Sequence, residues 1–161
     1  METARFDTFN RYRYKVVSYN QKLWIFSGIR GVELSSSVWS SSDGVSWSQV
    51  VEEAPFEARQ FHAVKVFDAG DGKKMWLVGG SNGSELLNDI WSSPNGVDWT
   101  LETNSAPFEP RQFHDLEVFN NGQELFLFGG SNDSGANLND VWKTIDGVNW
   151  EKGYQAKLKL N

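Results

Sequence analysis

The sequence predicts an all-β chain built from three copies of one antiparallel unit. Three observations carry this. Motifs return every 50–52 residues along the 161-residue chain. Aromatic residues reach 14%, with 8 Trp and 15 Gly, which is a mixture of strand formers and turn formers. An Asp-Gly or Asn-Gly pair stands near the end of every copy, and such pairs are the strongest short-range hairpin signal.

The second and third copies match best. Pro55-Phe56-Glu57-Ala58-Arg59-Gln60-Phe61-His62 returns as Pro107-Phe108-Glu109-Pro110-Arg111-Gln112-Phe113-His114. Gly79-Gly80-Ser81-Asn82 returns as Gly129-Gly130-Ser131-Asn132. Leu87-Asn88-Asp89-Ile90-Trp91 returns as Leu138-Asn139-Asp140-Val141-Trp142, and Trp99 returns as Trp150. The first copy is worn. Arg11-Tyr12-Arg13-Tyr14 stands for Arg-Gln-Phe-His, Ser27-Gly28 for the double Gly, and Ser36-Ser37-Val38 for Asn-Asp-Ile, while Trp24, Trp39 and Trp47 keep their places. Length changes fall in turns, as strands of fixed register require.

Each copy divides into four strands. The first strands are read at 15–19, 63–67 and 116–119, and the second at 23–26, 75–78 and 125–128. The second strands are continuously apolar, which predicts a sheet covered on both faces. The third carries Asp89 to Ser93 and the fourth Val97 to Leu101. Asn121-Gly122 marks a first hairpin, and Asp43-Gly44, Asn95-Gly96 and Asp146-Gly147 mark the last hairpins, where a type I′ turn would put both central residues at positive φ. A four-stranded unit of about 50 residues, covered on both faces and repeated, is a β-propeller blade. The expected blades span about 11–50, 59–102 and 111–151 of a single domain, with 152–161 a C-terminal strand or tail.

These residues resemble the kelch-repeat propellers, in particular the bacterial kelch and galactose-oxidase-like central-domain kind. The carriers are Arg59 and Arg111, Gly79-Gly80 and Gly129-Gly130, and the pairs Trp39/Trp47, Trp91/Trp99 and Trp142/Trp150. The resemblance implies that the Arg ties adjacent blades together. It also implies that the residue two positions later faces the ligand. Some kelch adaptors carry an Arg there for acidic peptides; here Arg13 is followed by Phe61 and Phe113, which makes the rim apolar.

Several chemistries drop out. Zero Cys excludes disulfides, zinc–thiolate sites and the Tyr–Cys crosslink of copper-radical oxidases. A formal charge of −6 argues against nucleic acid as partner. No apolar run approaches the ~20 residues of a membrane helix. The start of the chain shows no basic and then apolar leader, so the cytoplasm is the default expectation, with an extracellular setting open. The last hairpins do not meet the sialidase Asp-box spacing, because Asp43 and Trp47 are four apart. The paired glycines lack phosphate-loop spacing and read as a strand end passed closely by backbone. His62 and His114 read as structural, without a third metal ligand beside them, and the Trp residues as blade packing. No metal, cofactor or catalytic set is expected.

The candidate ligand residues are Arg13, Phe61, Asn82, Phe113 and Asn132, on the face that carries the loops 81–87 and 131–138. Asn82-Gly83-Ser84 and Asn132-Asp133-Ser134 also match the glycosylation sequon, which reads as chance. The expected function is a non-enzymatic binding or assembly module. The rival is a carbohydrate-binding propeller or a kelch-type sugar mutarotase, which would need Arg, Glu and His converging; Glu57 and Glu109 lie in the links. Three blades fall short of the ~4–8 that close a ring. The expected partner is therefore a second copy completing six blades, or the remaining blades of a larger propeller, with another protein or a carbohydrate as ligand.

Overall fold

A computed structural model describes residues 4–5 and 11–153. Those residues form an all-β chain without helix. The strands are β1 (Ala4–Arg5), β2 (Arg11–Tyr12), β3 (Lys15–Tyr19), β4 (Lys22–Phe26), β5 (Ile29–Arg30), β6 (Glu33–Leu34), β7 (Val38–Ser41) and β8 (Ser46–Val51). They continue as β9 (Ala63–Asp68), β10 (Lys73–Ser81), β11 (Leu86–Ser93), β12 (Thr100–Thr103), β13 (Asp115–Phe119), β14 (Glu124–Phe128), β15 (Val141–Thr144) and β16 (Glu151–Lys152).

Three antiparallel sheets correspond to the three copies. Their strand orders are β3-β4-β7-β8, extended at its far edge by β1, then β9-β10-β11-β12, then β13-β14-β15-β16. Registers agree between copies: Val17 opposes Trp24, Lys65 opposes Trp76 and Glu117 opposes Phe126. A small three-stranded sheet, β2-β5-β6, was not legible in the sequence. The expected strand through Tyr154–Leu160 lies outside the described residues.

The sheets pack face to face. Trp24, Phe26 and Val38 of the first meet Val64, Met75 and Leu77 of the second. Phe67, Trp76, Val78 and Ile90 of the second meet Leu116, Leu125 and Leu127 of the third. The middle sheet is therefore buried on both faces, as its continuous apolar run predicts. The third sheet departs from that expectation. Leu125 and Leu127 are buried, but Phe126 is half-buried and Phe128 is 44% exposed, because no fourth sheet covers that side among the described residues.

Two further expectations are corrected. The last strand of copy two starts at Thr100, not Val97. The Asn95 side-chain oxygen accepts from the amides of Val97 and Asp98 and folds that segment into the turn. In the same hairpins only the glycine takes positive φ, at 75° for Gly44, 78° for Gly96 and 76° for Gly147. The preceding Asp or Asn instead caps the turn with its side chain. Asp43 does so on Val45 and Ser46, and Asp146 on Val148 and Asn149, so an Asx turn replaces type I′.

Candidate functional site

The repeated Arg is the structural knot of each copy. Arg59 is fully buried and spends its donors on the Glu57 carbonyl at 3.0 Å, the Gly79 carbonyl at 3.0 Å and both oxygens of Asp89 at 2.6 and 2.7 Å. Arg111 does the same with Glu109, Gly129 and Asp140. Trp91 and Trp142 donate their indole N–H to the same carboxylates at 2.7 Å. Hydrogen bonding by Arg111 is the leading cause that holds the Asp140 carboxyl below its ordinary range. In copy one, Ser37 replaces the Asp and accepts from both Arg11 and Trp39. Burial, then the charge of Arg30, lowers the pKa of Arg11. The carboxylate partner was not singled out from the sequence, although Asp89 and Asp140 recur in phase with the Arg. Phe56 and Phe108 were also missed. They sit buried beneath the guanidinium, edge-on to Trp99 and Trp150 at 5.0 and 5.5 Å.

The double glycines are explained by close approach. A Cβ on Gly80 would stand 2.6 Å from the Gln60 carbonyl oxygen, and one on Gly130 2.5 Å from that of Gln112. The amides of Gly28 and Gly80 donate to the Arg59 and Arg111 carbonyls of the following copy at 2.8 and 3.0 Å, so they are occupied by protein. Ser27 adopts φ 52° where Gly79 and Gly129 have 56° and 53°, so the worn copy keeps the same backbone.

Two residues after each Arg the chain turns a left-handed corner. Arg13, Phe61 and Phe113 have φ of 58°, 57° and 61°. A bulky residue there is strained, at a cost of ~1–3 kcal/mol. The three corners meet in space. The Phe61 and Phe113 rings are 4.1 Å apart and tilted by 45°, and the Arg13 guanidinium lies 4.7 Å from the Phe61 ring centre. Arg13 also donates to the Gln60 side-chain oxygen at 2.8 Å. With Lys15, His114 and Asp115 they line a cavity of about 280 Å³. Phe113 stays 59% exposed.

The other two candidates are not brought to this shelf by any contact. Asn82 closes its own loop on the amides of Ser84 and Glu85 and donates to Glu57. Asn132 closes its loop on Ser134 and Ala136. Two larger hollows, about 480 and 470 Å³, run beside Ser36–Ser37 and Asn88–Asp89. They are one groove occurring twice in phase, and in the second Asp89 and Glu57 already serve Arg59 and Asn82. That makes the grooves a product of the repeat.

His62 and His114 are fully enclosed. His114 Nε2 faces the Val78 carbonyl at 3.1 Å, while Nδ1, and both ring nitrogens of His62, lack a partner among the described residues. Burial, followed by the charge of Arg111, lowers His114 to about 3; burial, followed by Arg59, lowers His62 well below the usual range.

No family model matches the chain. The chain is 25% identical over 166 residues to the leucine-zipper-like transcriptional regulator 1 homolog of Drosophila melanogaster. The match covers 94% of this chain but 16% of that protein, so the chain spans about a sixth of the relative's length.

Proposed function

We propose that the three sheets are blades of a kelch-like propeller and that the protein is a non-enzymatic binding module. Its ligand site is the shelf formed by Arg13, Phe61 and Phe113. The observation that carries this is the cost of the shelf. Three equivalent corners have left-handed backbone, where Gly would be unstrained. They hold Arg and two Phe instead, and Phe113 leaves more than half of its surface in water. A bulky, strained and exposed residue lowers stability, so its place is accounted for by what it touches outside the chain. The expected ligand has an apolar or aromatic segment for the Phe pair and an acidic group for Arg13 and Lys15.

The test starts from peptides selected against the immobilised chain and maps them by amide chemical shifts. Arg13, Phe61 and Phe113 should shift most. Phe113→Gly should abolish binding while leaving thermal stability equal or higher, because the strain is relieved and little buried surface is lost. Ligand mapped to the opposite hairpins, at Asp43-Gly44 and Asn95-Gly96, refutes the site.

A further inference from the structure

One contact joins the sheets twice and is left open once. The Trp24 indole of the first sheet lies so close to the turn glycine Gly96 of the second that a Cβ there would overlap it. The Trp76 indole of the second lies in the same way against Gly147 of the third. Both indoles and both glycines are buried. The third member of the indole series is Phe126, which opposes Glu117 and Lys143 as Trp76 opposes Lys65 and Ser92. It is half-buried, and its neighbours Phe119 and Phe128, at 6.1 and 6.0 Å between ring centres, are 68% and 44% exposed. The third member of the glycine series is Gly44. It is exposed, and among the described residues only Leu23 comes within 4 Å of where its Cβ would stand. Among the described residues an aromatic plug is thus left unused on one side and a glycine socket on the other.

We infer that a second copy of this chain closes the ring, with Phe126 of each copy seated on Gly44 of the other. The inference rests on the blade reading above and adds the partner and the register. Propellers close with ~4–8 blades, and the three sheets of the described residues taken twice make six, which lies in that interval. A head-to-tail contact must close on itself or polymerise, and two copies related by a half-turn about the ring axis close it. The backbone series extends the same way. Gly28 and Gly80 donate to the Arg59 and Arg111 carbonyls, so the Gly130 amide faces the Arg11 carbonyl of the other copy. Among the exposed apolar side chains, Phe119 and Phe128 lie beside the plug, and Val16, Leu23 and Val45 belong to the copy that carries the socket.

Sedimentation equilibrium of the full chain tests this, with one species of twice 18.2 kDa expected. Phe126→Asp and Gly44→Asn should each give the 18.2 kDa monomer. Asn tolerates the φ of 75°, so Gly44→Asn keeps the fold, checked by an unchanged far-UV spectrum, while its Cβ fills the socket. Mixing the two variants restores one sound contact per pair, so the doubled mass should return. A wild-type monomer, a trimer or larger species, a dimer that survives either substitution, or a mixture that stays monomeric overturns the inference. Failure of the blade reading shows separately: Gly96→Asn should lower the melting temperature by several degrees in any oligomeric state, and no shift there refutes the sheet packing itself.

Discussion

Lowering the pH from 7.5 to 5.0 should weaken the fold through its two buried histidines. In the unfolded chain each imidazole titrates near ~6.5. In the folded chain His114 is held to about 3 and His62 well below its usual value, burial being the main cause for both. The folded pKa is depressed, so over this interval the unfolded state binds more protons than the folded one. The stabilisation is complete above about pH 6.5 and is lost as pH falls toward the folded pKa. At pH 5 the unfolded state has gained ~1.5 pH units at ~1.36 kcal/mol per unit, or about 2 kcal/mol through His114, and His62 acts in the same direction. That is a large share of the ~5–15 kcal/mol that holds a typical domain. Urea unfolding followed by Trp fluorescence at constant ionic strength reads the effect. With an m-value near ~2 kcal/mol/M the midpoint should fall by about 1 M through His114 alone and further through His62. The aspartates do not confuse the window. Asp43 is lowered to about 2 by the Ser46 and Val45 amides and Ser41. For Asp146, burial is the largest single influence and raises the pKa, but the bonds from Asn149, Val148 and Thr144 together outweigh it and bring the group to about 2. Both contribute stability that is lost only as pH falls below their unfolded range near ~3.9. Equal midpoints at the two pH values, or folded-state imidazole signals that titrate near pH 6.5, would refute the reasoning.

Two substitutions probe the repeated contacts. Gly147→Ala combines a φ of 76° with overlap on the Trp76 ring, whereas Gly122→Ala has a φ of 87° and no atom within 4 Å of the added Cβ. The second should cost only the left-handed backbone penalty of ~1–2 kcal/mol and the first at least about 2 kcal/mol more; equal losses in chemical denaturation would dismiss the indole contact. Asp140→Ala leaves the buried Arg111 without its carboxylate and frees the Trp142 N–H. The expected loss is ~3–5 kcal/mol, and a loss below about 1 kcal/mol would show that the pair does not hold the link to the sheet.

The fold was legible because its signals are local and occur three times. Alternating or continuous apolar runs set the strands, and Asp-Gly and Asn-Gly set the last hairpins, since a side-chain cap and a φ near +75° need those residue types in that order. What was misread also has a local cause. Val97-Asp98-Trp99 alternates like a strand, but Asn95 captures the amides of Val97 and Asp98 first, and the chain does not extend until Thr100. The small sheet at Ile29–Arg30 and Glu33–Leu34 has counterparts in the later units, where Ser81 pairs with Gln60 and Leu86 and Ser131 with Gln112 and Asn137, but these short polar segments beside glycine carry no strand pattern. The uncovered face of the third sheet is invisible in composition, because Phe126 and Phe128 are as apolar as their buried counterparts Trp76 and Val78.

The candidate site was half legible, and the missing half is a matter of backbone. Arg13 attracts notice by standing where the later copies carry Phe61 and Phe113. Their left-handed φ cannot be read from side chains that rarely adopt it. Asn82 and Asn132 are read as ligand residues on their placement in polar loops of the same face, although they are alike in both copies. In the structure that likeness is structural, since each amide closes its own loop on nearby backbone N–H groups. Arg59 and Arg111 are likewise alike in both copies, and each is spent on its own aspartate. Where the backbone is the same across copies but the side chain is not, the fold has fixed the corner and left the side chain unconstrained. A swap at that corner separates the two cases: Phe61→Arg, which copies Arg13 onto the second corner, should leave the melting temperature within about 2 °C, as a surface change does. It should also move ligand preference toward acidic peptides. A drop of ten degrees or more would show that Phe61 is instead part of the packing that joins the first two sheets.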